Sequence, residues 1–329
     1  MATERVGIDI GKGFIKYCYR GGTGEIPSYM SQGSLTRVVS GPAGLASNIH
    51  FAGKDYIIGE SAPLGRGFIQ RNDERKADER NLIFVLSVLA RLDIYDAEIM
   101  VGLPVGTLER DKNEVKSLFS GYFDASVGGE KGAKKGFNIQ TYVLSEPIGT
   151  YFSLVCNEIG QLDKKSQYYN KAMVIVDIGH STLDIVVMDS GNLSPVKGSS
   201  LLGISTIFNQ VWKHLEKDHG MVKANEQVDI INTIIKNPGA QVVIDGKMMN
   251  PAIWDKIKNW KMELAKNIID TVKSSLGDLR PPVMLITGGG GLFLNHELRY
   301  CQRDIVMHAD PRFANAIGFY RGLLYNSLN

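Results

Sequence analysis

Val6-Gly-Ile-Asp-Ile-Gly-Lys-Gly-Phe-Ile-Lys16 and Val174-Ile-Val-Asp-Ile-Gly-His-Ser-Thr-Leu-Asp184 are two readings of one pattern. Asp9 recurs as Asp177 and Gly11 as Gly179, 168 positions on. Each copy is a short apolar strand, an Asp-Ile-Gly corner, small or polar residues, and a second strand. Two facing hairpins of this chemistry can hold a nucleotide's phosphates from both sides.

The residue types fit that use. Gly11 and Gly13 let a turn present backbone N–H groups to phosphate oxygens without a Cβ in the way. Lys16, seven residues after Asp9, can reach back to phosphate as a point charge. Asp9 repels phosphate, and its suitable partner is a magnesium ion held through water. In the second copy Asp177 repeats Asp9, Gly179 repeats Gly11, and Ser181 and Thr182 add hydroxyl and amide donors. A third element, Gly288 to Gly291 after the apolar Val283-Met-Leu-Ile286, offers bare backbone against which an adenosine can lie; alone, it reads equally well as a loop. No Gly-Lys-Ser/Thr follows at P-loop spacing, and no Gly-x-Gly-x-x-Gly opens a helix near a suitable acid.

Outward from these motifs, strands and helices alternate, which implies α/β sheets covered by helices. A hairpin is expected over 5–19, loop with one short strand over 20–48, and a small hairpin over 51–58. The charged run 65–80 reads as a solvated loop or helix face, or as a contact with another subunit. Helices are expected over 79–92, over 108–119 capped by Thr107, and from Glu146 to about 158 with Pro147 in the first turn. A strand is expected over 98–101, a mobile Gly/Lys-rich loop over 126–136, and a strand over 141–144. The polar stretch 161–169 marks a domain boundary, and the second hairpin covers 172–188. Ile204, Ile207, Phe208, Val211 and Leu215 define a helix ending before Gly220; a long helix runs from Asn250-Pro251 to Gly277, with Trp254 and Trp260 read as core. The last helix falls at about 312–326.

The 329 residues suffice for two cores, and 43% apolar and 22% charged residues are ordinary globular composition. A net charge of +2 gives no pull toward nucleic acid or membrane. Cys18, Cys156 and Cys301, scattered and odd in number, fit buried thiols in a reducing compartment. No signal peptide or spanning segment is visible, so a cytoplasmic protein is expected.

In order and spacing the three motifs resemble the superfamily of actin, sugar kinases and heat-shock-chaperone ATPases. Within it, Glu25-Ile-Pro-Ser28, Val101-Gly-Leu-Pro104, Leu144-Ser-Glu-Pro147, Ile178-Gly-His-Ser-Thr-Leu-Asp-Ile185, Gly198-Ser-Ser-Leu-Leu-Gly203 and Asp310-Pro-Arg-Phe-Ala-Asn-Ala-Ile-Gly318 resemble the ParM-type actin-like proteins of bacteria and archaea. The resemblance implies two related actin-like (ribonuclease-H-like) α/β domains of mixed sheets flanked by helices, with the nucleotide in the interdomain cleft. Domain I would cover 1–169 with a small subdomain at about 25–90, completed by the C-terminal helix 319–329; domain II would cover 170–318 with a small subdomain at about 205–265.

The same resemblance implies the roles. Glu146 would orient the water attacking the γ-phosphate; as a bare sequence feature it is also a carboxylate favoured at a helix N-terminus. Asp177 and Asp184 would complete the catalytic set, Asp184 acting through water or magnesium. Asp9 and Asp177 would hold Mg2+. Asp9, Gly11, Lys12, Gly13, Lys16, Gly179, His180, Ser181, Thr182 and Gly288, Gly289, Gly290 and Gly291 would bind ATP or ADP. Lys12 adds a charge to phosphate or points outward; His180 donates to the γ-phosphate or satisfies the turn. The implied function is a Mg-dependent ATPase that polymerises with copies of itself for DNA (plasmid) segregation or intracellular positioning, linked to cargo by an adaptor and without direct nucleic-acid binding. A metabolite kinase on the same fold is the alternative. A chaperone-type ATPase would need a further peptide-binding domain, and a membrane-linked scaffold a basic amphipathic tail.

Overall fold

A computed structural model describes residues 3–33, 47–64, 66–70, 78–220, 227, 230–231, 233–235, 237–244 and 246–328. The chain forms two compact units. The first is Met1–Lys171, Met188–Leu193 and Arg312–Asn329; the second is Ala172–Val187 and Ser194–Pro311.

In the first unit the elements run β1 (Glu4–Ile10), β2 (Phe14–Tyr19), β3 (Gly22–Pro27), β4 (Tyr29–Gln32), β5 (Asn48–Phe51), β6 (Lys54–Ile58), a 3-10 turn (Gly59–Leu64), β7 (Arg66–Gln70), α1 (Glu79–Arg91), β8 (Asp96–Leu103), α2 (Leu108–Phe119), β9 (Gly121–Val127), β10 (Ala133–Ser145) and α3 (Glu146–Val155). All ten strands join one sheet in the order β3-β2-β1-β8-β10-β9-β5-β6-β4-β7. β1, β8 and β10 are mutually parallel, while β2 and β3 are antiparallel additions. β10 is long enough to serve two neighbours: residues 133–139 pair with β9 and 138–145 with β8. Strands in the middle of a sheet covered on both faces need apolar residues on both; Val6, Ile8 and Ile10 of β1 and Ile99, Val101 and Leu103 of β8 are buried in the core on one face, and Met100 of β8, on the other, is buried with Phe319 and Leu323. α1 is buried on every residue from Asn81 to Ala90, so the sequence Asn81-Leu-Ile-Phe-Val-Leu-Ser-Val-Leu-Ala90 has no polar face.

The C-terminal helix, Ala314–Leu328, closes this unit by packing on α3 and β1. Glycine makes that approach possible. A Cβ on Gly318 would overlap the Gly149 carbonyl oxygen, and one on Gly149 would overlap the ring of Phe319, which is fully buried.

In the second unit the elements run β11 (Met173–Ile178), β12 (Leu183–Asp189), β13 (Asn192–Ser200), α4 (Ser205–His219), β14 (Val243–Ile244), β15 (Lys247–Met248), α5 (Ile253–Leu276), β16 (Val283–Thr287), α6 (Gly288–Phe293), α7 (Asn295–Cys301) and β17 (Ile305–Met307). The five-stranded sheet has the order β13-β12-β11-β16-β17, with β11, β16 and β17 parallel. This is the order of β3-β2-β1-β8-β10 in the first unit, strand for strand. The likeness of the halves, visible in sequence only at the hairpin, thus extends to a whole five-stranded sheet. α4 and α5 supply Ile207, Phe208, Val211, Ile257, Leu264 and Ile268 to its core, with Trp254 and Trp260 packed against it. Gly220 and Gly277 end these helices at φ +74° and +55°.

Several expectations need correction. Residues 20–33 hold two strands, β3 and β4, rather than loop with one; 34–46 lie outside the described residues, as do 71–77 of the charged run, of which 66–70 form β7. The Gly/Lys-rich segment is no loose loop but the hairpin β9–β10, turning through Gly128 and Gly129 at positive φ; alternation of Phe137 and Ile139, both buried, with Gly136, Asn138 and Gln140 is what holds the register. α3 stops at Val155 instead of 158, because Asn157 Oδ1 accepts from the backbone N–H of Ile159 and Gln161 and turns the chain. Thr107 occupies the N-cap of α2, yet its hydroxyl donates to the Pro104 carbonyl oxygen at 3.4 Å instead of capping.

Candidate functional site

In the first unit the carboxyl ends of the parallel strands β1, β8 and β10 lie along one sheet edge, where α/β proteins bind ligands. Asp9, Gly102 and Ser145-Glu146 lie at those ends. Between β1 and β2 the chain reverses through Gly11, Lys12 and Gly13. The Gly11 N–H donates to the carbonyl oxygens of Asp9 and Phe14, both at 3.1 Å. A Cβ on Gly11 would stand 2.6 Å from that Phe14 oxygen, so the corner requires glycine. Ser28, just after β3, holds the turn from outside: its Oγ donates to Gly11 O at 2.6 Å and its N–H to Gly13 O at 3.0 Å. Asp9 and Lys16 face each other in register, with Lys16 Nζ 3.1 Å from Asp9 Oδ2, at side-chain exposures of 14% and 8%.

Glu146 begins α3 directly from β10, is buried, and has its Cγ 2.8 Å from where a Cβ on Gly102 would stand. Beside it Ser145 stands at the N-cap with a buried Oγ that has no hydrogen-bond partner. An acid and an unsatisfied hydroxyl therefore adjoin at the strand end.

In the second unit the turn is rebuilt. The Gly179 N–H donates to Thr182 O at 2.8 Å, the counterpart of Gly11 to Phe14. His180 and Ser181 form its tip; the His180 carbonyl accepts from the Ser205 N–H at 2.7 Å, and its ring stacks on Phe208 at 5.9 Å. Asp177 is buried at the end of β11 and pairs in register with Thr287 of β16; Asp184 is buried on β12. The four glycines are not a loop but the opening of the short helix α6. Gly288, at φ +84°, lies so close that a Cβ would overlap Ile178 O and Asp177 Oδ1, and a Cβ on Gly290 would stand 2.7 Å from Ile178 O. The Gly288 N–H donates to Pro311 O at 2.8 Å. The structure thus brings Asp177, Gly179 and Gly288 to Gly291 together in one unit, and Asp9, Gly11, Lys12, Gly13 and Lys16 together at the strand edge that also ends in Glu146.

Sequence reasoning missed a neighbouring cluster. Lys261 of α5 lies 3.1 Å from Glu297 of α7 and 4.6 Å over the ring of Phe293, at the end of α6. Phe293 in turn contacts Phe208, under His180. Glu297 Oε2 is buried with no hydrogen-bond partner. An aromatic ring, a cation and an open acceptor beside bare glycine backbone suit a purine nucleoside. The first and last of the three residues lie 36 positions apart, 261 and 297, so no local motif announces them.

Among the described residues no group of three or more His, Cys, Asp or Glu could hold a metal ion by itself. Asp9 in the first unit and Asp177 in the second are each a buried carboxylate of the kind that suits magnesium, which keeps most of its water.

Residues 7–149 match the family model for the N-terminal domain of actin-like proteins, and residues 175–300 match that for the C-terminal domain of archaeal MreB-like actin homologues. Among solved structures, the fold is similar to a 15-stranded ParM filament from Clostridium botulinum (19% identity, 99% of this chain and 100% of that chain, TM-score 0.80). It is also similar to the archaeal actin homologue Ta0583 in complex with ADP (19%, 97% and 98%, 0.75) and to Bacillus thuringiensis ParM with ATP (13%, 100% and 99%, 0.66). No curated protein matches the chain in sequence. No helix among the described residues is long and apolar enough to cross a membrane.

Proposed function

Since the chain belongs to the actin-like protein family, we propose that it binds ATP with Mg2+, hydrolyses it, and polymerises head-to-tail with copies of itself. The observation that carries this reading is the turn built twice, each time with a buried aspartate two residues before the corner glycine and each at the carboxyl edge of parallel strands. In the first turn Lys16 exchanges its bond to Asp9 for phosphate oxygens. In the second, Ser181 and Thr182 donate to phosphate and Asp184 orients water. Gly288 to Gly291, Phe293, Lys261 and Glu297 receive the adenosine. Asp9 and Asp177 would hold Mg2+ through water, and the ion would supply positive charge against the phosphates. Glu146 accepts a hydrogen bond from the attacking water and fixes its line of approach, with the Ser145 hydroxyl beside it; hydrolysis of this kind rests on positioning and charge stabilisation.

A head-to-tail contact whose rotation does not close gives a filament. The filament would serve DNA (plasmid) segregation or intracellular positioning in the cytoplasm, through an adaptor rather than direct nucleic-acid contact, in keeping with a net charge of +2. Light scattering and sedimentation after addition of ATP and Mg2+ test it. Pelletable polymer that needs ATP supports the reading. No assembly across salt and protein concentration would sink the filament claim, and ATP use that depends on an added sugar or acid would favour the kinase alternative.

A further inference from the structure

We propose that Arg312, acting through Glu25, is a positioning residue that keeps Lys16 available to phosphate; this rests on the nucleotide reading above. The strands set out a row. Asp9 of β1 is the register partner of Lys16 of β2, and Lys16 is the register partner of Glu25 of β3. Residues directly opposite one another in adjacent strands project from the same face, so the ammonium of Lys16 is flanked by a carboxylate on each side. Asp9 takes it at 3.1 Å.

Two carboxylates around one cation leave this cross-strand row net negative. Arg312 corrects this. It donates to Glu25 Oε1 at 2.6 Å, with side-chain exposures of 31% for the arginine and 27% for the glutamate. The row becomes minus, plus, minus, plus. A charge-assisted bond of that length is strong enough to hold the glutamate to the arginine side. The other oxygen, Glu25 Oε2, is buried and has no hydrogen-bond partner. It is a ready seat for a lysine ammonium if the arginine were lost. The guanidinium also lies 4.8 Å over the ring of Phe14, whose carbonyl closes the Gly11 turn. Arg312 therefore touches both the strand that competes for Lys16 and the turn that would hold the phosphates. Ser28 and Pro311, in the Glu25-Ile-Pro-Ser28 and Asp310-Pro-Arg312 stretches, brace the two turns, whereas the side chains of Glu25 and Arg312 have no part in the nucleotide reading.

The test is a thermodynamic cycle on the full chain: wild type, Arg312→Ala, Glu25→Gln and the double variant, each titrated with ADP and with ATP in the presence of Mg2+, with a thermal melt of each. Arg312→Ala is expected to weaken nucleotide binding by about tenfold, the size of one charged hydrogen bond forfeited to a competitor. Glu25→Gln is expected to bind at least as tightly as wild type. The double variant is expected to return to within about threefold of wild type, because the competing carboxylate has gone with the cation that restrained it. A purely structural brace would make the double variant as weak as Arg312→Ala or weaker, and that result overturns the proposal, as does unchanged affinity in Arg312→Ala. If Arg312→Ala does not fold, Arg312→Gln and Arg312→Lys carry the comparison: affinity must follow the charge, lost in the first and kept in the second, and equal affinity in both overturns it. Failure of the wild type to bind either nucleotide would instead refute the nucleotide reading itself.

Discussion

Replacing Gly288 by alanine while replacing Gly289 in a separate variant tests how the glycine run is built. At Gly288 the backbone is at φ +84°, where an L side chain costs about 1–2 kcal/mol. The added methyl also meets Ile178 O and Asp177 Oδ1. A backbone carbonyl cannot swing away as a long side chain can, and such overpacking costs about 1–3 kcal/mol. Together the loss is about 2–5 kcal/mol, or a melting temperature lower by roughly 4–20 °C at about 2–4 °C per kcal/mol. At Gly289 a Cβ meets nothing within 4 Å. Within the first turn of α6, alanine there gains up to about 1 kcal/mol of helix propensity. Urea or thermal unfolding without nucleotide measures both. A loss below about 0.5 kcal/mol at Gly288, or equal losses at the two positions, would refute the packing described for Asp177 and α6.

Three further outcomes are expected. Glu146→Ala should slow phosphate release while ATP binding and assembly persist; normal release would remove Glu146 from its role. Phe319→Ala, at a fully buried ring lodged between Gly102 and Gly149, should cost about 3–5 kcal/mol, read by denaturation; a cost under about 1 kcal/mol would show the C-terminal helix to be loosely docked. Burial pushes the Cys156 thiol up to about 11, with Arg321 pulling the other way. The folded chain therefore holds this proton more tightly than the unfolded one, and the associated stability is present below about pH 9 and lost as pH rises through about 11. Alkylation of Cys156 in the native protein should be slow at pH 8 and accelerate toward pH 11; reaction at pH 8 at the rate of a free thiol would contradict its burial.

Much of the fold could be read from the chain because its strands and helices keep strict periods. β11 is apolar but for Asp177, α4 and α5 repeat at helical spacing, and Gly220 and Gly277 punctuate them. The turns at Gly11 and Gly179 were legible because glycine marks both corners; at Gly11 a Cβ would stand 2.6 Å from Phe14 O, and at Gly179 one would press on Thr182 O at 3.3 Å. What escaped depends on partners far away in sequence. β3 and β4 are poor in apolar alternation and become strands by pairing with β2, and with β6 and β7. The β9–β10 hairpin is rich in glycine and lysine, and its register comes from a few buried residues. Four glycines have almost no intrinsic helical tendency; they begin a helix because β16 and the Pro311 carbonyl set the first turn. Lys261, Phe293 and Glu297 meet only through the packing of α5 on α7. Glu25 and Arg312 meet only because the last segment returns to the first unit.

The most direct test is phosphate release from Mg-ATP, per protomer, as a function of protein concentration, with pelleted protein assayed in the same samples. Release should be slow at low concentration and rise at a threshold where polymer first pellets. A rate per protomer that is constant across concentration, with no pelletable material, would contradict the central claim.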